Sequence, residues 1–531
     1  MSEMNFFRGM ESQSNQWRNN FMKQNQIKCV FICVLMVLFV GFSPNILTSA
    51  KKNKEKSSAL EWLNQPEVVQ RFGEISDAIW SYAELGMQEF KSSNLLADAL
   101  EQEGFTVERG AAGIPTCFVA SYGSGSPVIG ILGEYDALPM LSQKGRVPVK
   151  DPIVEGAPGH GCGHNTMGTA AAAAAIAVKK VMDEYGIAGT IRVFGSPAEE
   201  TLISRPYMVR AGLFGDVDVV IDNHNSTILA TGYGTSGNAM FSSVFTFKGT
   251  TSHGASPWTA KSALDAVEIM NVATNYLREH LYFTYRMHYV VTEGGEAPNV
   301  VPDRASVWYF VRNSDSRLEA MHDKVINCAK AGALATGTEM EFRVLSAVHQ
   351  RNTNKALAEV IQENIEMVGM PKWSEEEIAF AKQIQKELGS SEEGMPTETR
   401  DIIDFNRRRF VGGGSSDVGE VTRVVPTATL LFPGRVPGTI SHHWSAVASN
   451  YGSTAWKGLN AGAKVMAATA IDLYLNQDRL AKIKEEFEAY EKEHPYKPFL
   501  PEDSMPPLKL NQELMKKWRP HMEKHYSKHH K

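Results

Sequence analysis

The chain has 531 residues, of which 43% are apolar and 21% are charged, and its formal net charge at pH 7 is −6. This composition is ordinary for a folded soluble protein. The acidic balance argues against a nucleic-acid-binding protein, which would need a basic surface. The length allows roughly two to four domains. Three of the five cysteines are widely spaced and the other two lie near the N-terminus, so the cysteines do not indicate a disulfide framework.

Residues 29–42 form an uncharged apolar run after a basic lead rich in Asn and Gln. The run is shorter than the ~20 residues that a membrane-spanning helix needs. Small residues around Ala50 follow it, so we expect residues 1–50 to be a secretory signal peptide and the mature protein to be exported to the periplasm or outside the cell. A start at Met22 would give a more typical signal. The alternative is a membrane anchor formed by residues 29–42.

The first half of the chain alternates between helix and strand patterns. Residues 59–104 carry apolar residues three and four apart, which predicts helices. Residues 128–132 form a continuous apolar run, typical of a strand covered on both faces. Further strands are predicted at residues 106–121, 190–194 and 217–221. Polar residues that can bind metal follow several of these strands, and an open α/β sheet builds its site at the carboxyl ends of its strands.

Four glycines, one cysteine and two histidines lie within residues 159–168, directly before the run from Ala170 to Ala175. The glycines allow a tight turn, and the alanines predict a buried helix that packs closely against a sheet. Cys162 and His164 flank one glycine, so both can point at one ion, and this pair of ligands suits zinc or a similar metal. The alternative is a small buried cysteine beside a core histidine.

The pattern changes near Gly232, where a strand-helix-strand-strand-helix-strand unit begins. We interpret residues 236–370 as an inserted second domain. The first part of the catalytic domain would then cover residues 55–235, the second part residues 371–480, and a charged tail residues 481–531. Within the second part, the charged residues 373–408 are predicted to be helical, and residues 427–432 are predicted to form a strand.

Several polar residues lie where predicted strands stop. They are Asp136, Cys162, His164, Glu199, Glu200, His224 and either His442 or His443. This mixture of thiolate, imidazole and carboxylate suits two metal ions held close together. Adjacent residues in an extended chain point in different directions, so Glu199 and Glu200 can divide the roles of base and ligand. The alternative is a solvated surface pair.

Six motifs carry a resemblance to a known family. They are Asp136-Ala-Leu-Pro139, Gly161-Cys-Gly-His-Asn165, Pro197-Ala-Glu-Glu200, His253-Gly-Ala-Ser-Pro257, Gly413-Gly-Ser-Ser-Asp417 and His442-x-Trp444. Over residues 60–515 the chain resembles the dinuclear-metal aminoacylase and carboxypeptidase-type amidohydrolases. The resemblance is to the branch of plant auxin-conjugate amidohydrolases and bacterial aminobenzoyl-glutamate hydrolases. It implies an α/β catalytic domain with a mixed, mostly parallel sheet flanked by helices. A smaller ferredoxin-like α+β domain is implied as an inserted lid and dimerisation domain.

The resemblance also implies a set of metal ligands for two divalent ions, zinc or manganese. They are Cys162, His164, Glu200, His224 and His442. Cys162 would bridge the ions, Glu199 would be the general base, and Asp136 would orient a ligand. Other branches have a histidine two positions before this aspartate, where Glu134 stands here, so that ligand is missing. The His442–His443 doublet leaves the last ligand open, and we favour His442 because His-x-Trp is the pattern of this branch.

Further residues are implied on the substrate side. His253, in the inserted domain, would reach the site across a dimer interface and stabilise the oxyanion. Asn299 and Arg312 match residues that hold the substrate carboxylate in glutamate-releasing relatives, and Asp417 is expected to bind substrate as well. The structural alternative for Arg312 is an ion pair with Asp315 or another acidic residue.

The activity implied is hydrolysis of the amide bond of N-acyl amino acids, with p-aminobenzoyl-glutamate as the expected substrate. The alternatives are a dipeptidase or a deacylase of the same family, a non-catalytic subunit of a hydrolase complex, and a membrane-anchored structural protein. We expect a homodimer formed through the inserted domain, and the need for a partner subunit is left open.

Overall fold

The structure is a computed structural model and describes residues 53–407 and 413–527. The signal peptide or anchor predicted over residues 1–50 lies outside the described residues. The helices are α1 (Lys54–Leu63), α2 (Pro66–Tyr82), α3 (Phe90–Gln102), α4 (His164–Tyr185), α5 (Ser204–Arg210), α6 (Ala263–Leu277), α7 (Asp315–Thr336), α8 (Lys355–Val368), α9 (Glu375–Glu387), α10 (Val418–Val421), α11 (Trp444–Ser449), α12 (Ser453–Leu475), α13 (Gln477–Glu493) and α14 (Gln512–Met522). The strands are β1 (Thr106–Arg109), β2 (Phe118–Ser124), β3 (Val128–Glu134), β4 (Gly189–Ser196), β5 (Val219–Asn225), β6 (Ala230–Ser236), β7 (Ala239–Lys248), β8 (Arg286–Glu293), β9 (Arg304–Asn313), β10 (Glu339–Val348), β11 (Arg351–Thr353), β12 (Ile403–Asp404) and β13 (Thr427–Phe432).

The large sheet has nine strands within the described ranges. Its main path runs β1-β2-β4-β3-β5-β13-β6-β11, and β12 pairs with β6. The four central strands β4, β3, β5 and β13 are parallel, and antiparallel pairs flank them on both sides. The mixed, mostly parallel core of the predicted sheet is therefore confirmed. The single strand predicted over residues 106–121 is wrong, because a turn with left-handed backbone at Gly110 and Ala112 divides it into the β1–β2 hairpin.

Both faces of the central strands are covered, which explains why β3 is apolar throughout. Ile129 and Ile131 face the core that contains α4 and α12. Leu132 faces the other core, which also contains Phe194 and side chains of the small sheet. A strand buried on both faces cannot alternate apolar and polar residues, so its sequence is a continuous apolar run.

Helix α4 lies directly against the sheet because its side chains are small. Ala170 to Ala175 have at most 1% of their surface exposed. A Cβ on Gly168 would lie 2.6 Å from the carbonyl oxygen of Glu134, so only glycine allows this close approach to β3. The helix begins after Gly163, whose φ of +92° favours glycine. Among residues 53–407 and 413–527, no helix combines the length and the apolar character of a membrane span.

The small sheet has four antiparallel strands in the order β10-β7-β9-β8. Helices α6 and α7 pack on it, with Val267 and Val325 in the same core as Phe245 and Val307. These elements come from residues 239–348, inside the predicted inserted domain. The boundaries at residues 236 and 370 stay a prediction.

The C-terminal segment from residue 495 to 527 contacts elements next to both sheets. Met505 O accepts hydrogen bonds from Tyr207 Oη at 3.0 Å and from Arg343 Nη2, on β10, at 2.9 Å. Further along, Arg519 Nη2 lies 3.1 Å from Glu84 Oε1. The segment combines extended chain with α14, and Met515 is fully buried, so part of the charged tail packs against the rest of the chain.

Candidate metal centre

The candidate centre lies at the carboxyl ends of the parallel strands of the large sheet. Glu134 is the last residue of β3, Glu199 follows β4 by three residues, and His224 is near the end of β5. The glycine turn before α4 brings Cys162 and His164 to the same edge. This is the arrangement expected when several strand ends of an open α/β sheet build one site.

Cys162, His164 and His224 form the first group of possible ligands. One ligand atom from each lies within 4.8 Å of the other two, and Cys162 Sγ is 3.5 Å from His224 Nε2. His164 Nδ1 lies 2.8 Å from Asp136 Oδ1, which leaves Nε2 facing the group. Burial and, to a smaller extent, the charge of His164 lower the pKa of His224 to about 3. A neutral imidazole is the form that binds a metal.

Cys162 also belongs to a second group, with Glu200 and His442. His442 Nε2 lies 3.2 Å from Glu200 Oε2. The neighbouring His443 precedes α11, and its Nδ1 lies 2.9 Å from Ser445 Oγ and accepts a hydrogen bond from Ser445 N. The structure therefore brings His442 into the cluster and uses His443 as a helix cap. Cys162 is the residue that these two groups share.

Glu199 and Glu200 are fixed by a short turn with left-handed backbone at Ala198 and Leu202. Glu89 Oε1 accepts a hydrogen bond of 2.8 Å from Ala198 N, and Asp136 Oδ2 accepts one of 3.0 Å from Glu200 N. Both glutamates lie with a carboxylate oxygen 3.8 Å from His164 Nε2. The two side chains are buried beside the ligands, so the solvated surface pair is wrong.

A buried ion-pair network supports the cluster from inside the protein. Arg205 is fully buried, its Nη2 lies 2.8 Å from Glu134 Oε1, and its Nη1 pairs with Asp417 Oδ1. The other oxygen of Glu134 lies 3.2 Å from His164 Nε2. The residue found where other branches have a histidine therefore contacts a ligand and is held by a permanent positive charge.

The residues fit divalent metal ions. His164 Nε2 and Glu134 Oε2 lie 3.2 Å apart but do not form a hydrogen bond, and neither these two buried atoms nor the buried Glu200 Oε1 has a hydrogen-bond partner among the described residues. Unsatisfied buried polar atoms each cost about 1–3 kcal/mol. Burial and the charge of Glu200 raise the pKa of the Cys162 thiol to about 11, a shift that a bound cation reverses. Sulfur, nitrogen and oxygen ligands in one cluster are typical of zinc.

The residues expected to contact substrate have different surroundings. Arg312 lies on β9, with a buried Nε that has no hydrogen-bond partner among the described residues. Asn299 and His253 are exposed in adjacent loops of the small sheet, where Gly254 N donates to Asn299 O at 2.7 Å. Within the described ranges, His253 makes no hydrogen bond or ion pair with the cluster. Asp417 is fully buried against Arg205 and has no surface for a substrate, so the expectation that it binds substrate is wrong.

Two supporting residues were not predicted from the sequence. Arg205 lies on the short helix α5, where an arginine in Ser-Arg-Pro-Tyr suggests an exposed side chain. Glu89 precedes α3 and is fully buried, with Oε2 accepting from Thr116 Oγ1 at 3.0 Å. Their partners are distant in sequence, and no local pattern indicates them.

Comparison with known proteins agrees with this geometry. Residues 130–472 match the pattern of Peptidase family M20/M25/M40. The chain is 38% identical over 466 residues to the B subunit of p-aminobenzoyl-glutamate hydrolase from Escherichia coli K12, covering 83% of this chain and 97% of that one. It is 27% identical over 463 residues to Xaa-Arg dipeptidase of Mus musculus, covering 84% and 94%.

A solved structure shares the fold. It is the aminobenzoyl-glutamate utilization protein of Klebsiella pneumoniae, with a TM-score of 0.53 and 16% identity over 77% of this chain and 97% of that one. The family match covers more than half of the chain, and the cluster supplies the ligands that metal-dependent hydrolysis needs. The chain therefore belongs to peptidase family M20/M25/M40 and is a metal-dependent hydrolase of amide bonds.

Proposed function

We propose that the chain hydrolyses N-acyl amino acids, with p-aminobenzoyl-glutamate as the first substrate to test and p-aminobenzoate and glutamate as the products. The observation that carries the proposal is the convergence of Cys162, His164, His224, Glu200 and His442 beside Glu199. The E. coli relative named for this reaction supports the choice of substrate, because the match covers 97% of its length.

We propose two divalent ions, zinc or manganese. Cys162, His164 and His224 would hold one, and Cys162, Glu200 and His442 the other. When bound, the ions polarise the amide carbonyl and lower the pKa of a water molecule. The shared thiolate favours zinc over manganese, which prefers oxygen ligands. Activity measured with each metal supplied separately to chelator-treated protein tests the choice.

Glu199 would act as the general base and then as the general acid. It takes a proton from the attacking water and returns it to the amine that leaves. Burial, together with the charges of Glu134 and Asp417, raises the pKa of Glu199 to about 8, although His164 and Arg205 act in the opposite direction. A carboxyl group with a pKa near neutrality can both accept and donate a proton at physiological pH. Asp136 contacts His164 and Glu200 N, so it holds the ligands in position beside the base.

Arg312 is proposed to bind the α-carboxylate of the amino acid. Its guanidinium makes no ion pair with the described residues. Burial lowers the pKa of Arg312, and the negative charge of Glu199 acts in the opposite direction. Asp315 is paired instead with Arg423 at 3.5 Å, so the expected structural alternative for Arg312 is wrong. An arginine can hold a carboxylate through two parallel hydrogen bonds, and Asn299 would complete the set.

Replacing Arg312 with alanine is expected to lower kcat/KM for p-aminobenzoyl-glutamate about 100-fold, because charge-assisted hydrogen bonds to the carboxylate are lost. The analogue amidated at the α-carboxylate, already a poor substrate, should change little. Arg304 provides a control on the same strand, since its partner Glu293 is half exposed, and Arg304→Ala should stay within about threefold. If Arg312→Ala kept the full preference for the free acid, Arg312 would not bind that group.

The dipeptidase alternative rests on the mouse relative named Xaa-Arg dipeptidase. That reaction releases a cationic amino acid, whose α-carboxylate Arg312 would bind as it would bind that of glutamate, so the guanidinium of Arg312 fits both reactions. A panel of acyl-glutamates, other acyl-amino acids and Xaa-Arg dipeptides separates the two activities. Faster release of arginine than of glutamate would favour the dipeptidase.

We propose a homodimer formed through the small sheet. Strand β8 is an edge strand, and its Tyr289, Val290 and Val291 are exposed, as are Val272 and Tyr276 on α6. An edge strand with exposed apolar side chains can pair with a second copy. His253 could then reach the partner's site. Light scattering of the purified chain tests the dimer, and a monomer that is fully active alone would contradict it.

A partner of a different sequence is a separate proposal. Two E. coli relatives are named as the B and A subunits of p-aminobenzoyl-glutamate hydrolase, and this chain is similar to both, at 38% and 26% identity. Full activity of the chain purified alone would show that no such partner is needed.

We propose that the mature protein is exported and begins near Lys51. The apolar run at residues 29–42 and the small residues before Lys51 support a cleaved signal. N-terminal sequencing of the protein recovered from the culture fractions tests this. A membrane-bound protein that retains residues 29–42 would support the anchor instead.

A further inference from the structure

Arg435 is fixed at the same edge of the large sheet as the candidate centre. It follows β13 by three residues, and its N donates to Ser226 O at 3.0 Å, next to the end of β5. Strand β5 carries His224, and β13 lies directly beside it. The side chain therefore starts from a rigid part of the sheet, close to the proposed ligands.

One edge of the Arg435 guanidinium donates a hydrogen bond within the chain, and the other edge can bind a ligand. Its Nη1 donates to Ser441 Oγ at 2.8 Å, the single hydrogen bond that this side chain makes within residues 53–407 and 413–527. Nε is buried and has no partner, and no carboxylate of the described chain lies within ion-pair distance. The edge formed by Nε and Nη2 is the one through which arginine binds a carboxylate with two parallel hydrogen bonds.

The charge of Arg435 acts on different residues of the candidate centre than the charge of Arg312 does. The Arg435 guanidinium interacts with Cys162 and also with His224. Arg312, which comes from the small sheet, interacts with Glu199. Both arginines act on His442. Two guanidinium groups that form no ion pair with the described residues therefore act on one cluster. Arg435 comes from the large sheet, and Arg312 comes from the small sheet.

We propose that Arg435 binds the side-chain carboxylate of the amino acid that leaves, while Arg312 binds its α-carboxylate. The site would then select dicarboxylic amino acids. This inference rests on the proposed hydrolysis of acyl-amino acids and names the substrate class more closely. A substrate with one carboxylate would leave one of the two half-buried guanidinium groups without its partner, and such mismatches lower the affinity strongly.

The test compares p-aminobenzoyl-glutamate with p-aminobenzoyl-glutamine, which differ in the side-chain carboxylate alone. In the unmodified protein, the ratio of their kcat/KM values should be about 100. Arg435→Met should reduce this ratio to near one, and Arg435→Lys should give an intermediate ratio, since lysine keeps the charge without the fork. Arg312→Met is the matched control: it lowers both values and keeps the ratio, because both substrates carry the α-carboxylate. Metal content should match the unmodified protein in all variants.

Two outcomes would overturn the inference. One is a ratio near 100 that persists in Arg435→Met, which would make Arg435 a structural support for the His442 loop. The other is a ratio near one in the unmodified protein, which would leave the proposed hydrolysis intact.

If neither substrate is hydrolysed, the proposed function fails and calorimetry decides the inference separately. Preferential binding of L-glutamate over L-glutamine to the zinc-loaded protein, lost in Arg435→Met, would support it, and equal binding of the two would overturn it.

Discussion

Replacing Glu199 with glutamine is expected to lower kcat/KM for the acyl-amino acid substrate about 1,000-fold while the bound metal remains. The amide of glutamine can neither accept the proton of water nor return it to the amine. The metal remains because the five proposed ligands are untouched. Steady-state kinetics together with metal analysis by mass spectrometry of the same preparation measure both effects.

Glu200 provides the matched control, since it is adjacent in sequence and its carboxylate lies 3.2 Å from His442 Nε2. Glu200→Gln should lower both activity and metal content, because a proposed ligand is lost. Normal turnover by Glu199→Gln would show that another group is the base. Loss of metal from Glu199→Gln, equal to that from Glu200→Gln, would show that both glutamates are ligands.

Replacing Arg205 with methionine is expected to reduce the free energy of unfolding by about 3–5 kcal/mol, because two buried carboxylates would lose their counter-charge. Glu134 and Asp417 are both essentially inaccessible to water, so solvent cannot replace the guanidinium. Urea unfolding of the metal-free protein, followed by circular dichroism, measures the change without a contribution from bound ions.

Arg192→Met is the control for this prediction. Its bidentate partner Asp216 is 63% exposed, so the loss should be below about 1 kcal/mol. A triple variant, Arg205→Met with Glu134→Gln and Asp417→Asn, should recover much of the stability, because the uncompensated charges are removed as well. If Arg205→Met were as stable as Arg192→Met, the network would contribute nothing to the fold.

Parts of the fold follow directly from local sequence. The strand predicted at residues 427–432 has the same bounds as β13, because Pro426 and Pro433 flank the apolar run and cannot continue a central strand. The helix after the Cys162 motif is α4, and its alanine run indicates close packing in advance. Prediction fails for the charged region at residues 373–408, which was expected to be helical. Its described residues contain one α-helix, α9, which ends at Glu387.

The candidate site likewise contains residues that the sequence predicts and residues that only the structure shows. The proposed ligands stand in short motifs at strand ends, where glycines or adjacent acids mark them. Arg205 and Asp417, by contrast, are 212 positions apart and meet because the short helices α5 and α10 pack together. The sequence also gives no signal for the role proposed for Arg435, because an arginine after a strand is ordinary. That Arg435 has no acidic partner among the described residues is a property of the folded chain. Sequence motifs therefore indicate what contacts the metal, and tertiary structure is needed to show what supports it.

The position of β13 in the large sheet affects the order in which the strands of that sheet can pair. This strand lies between β5 and β6, yet about 200 residues of chain separate it from them. During synthesis, β5 and β6 emerge with unpaired edges that stay open until residues 427–432 leave the ribosome, whereas β7–β10 can pair with one another earlier. Such long-range pairing slows folding and exposes the chain to aggregation. Metal binding at the candidate centre would then come last, because His442, one of its proposed ligands, follows β13 in the chain.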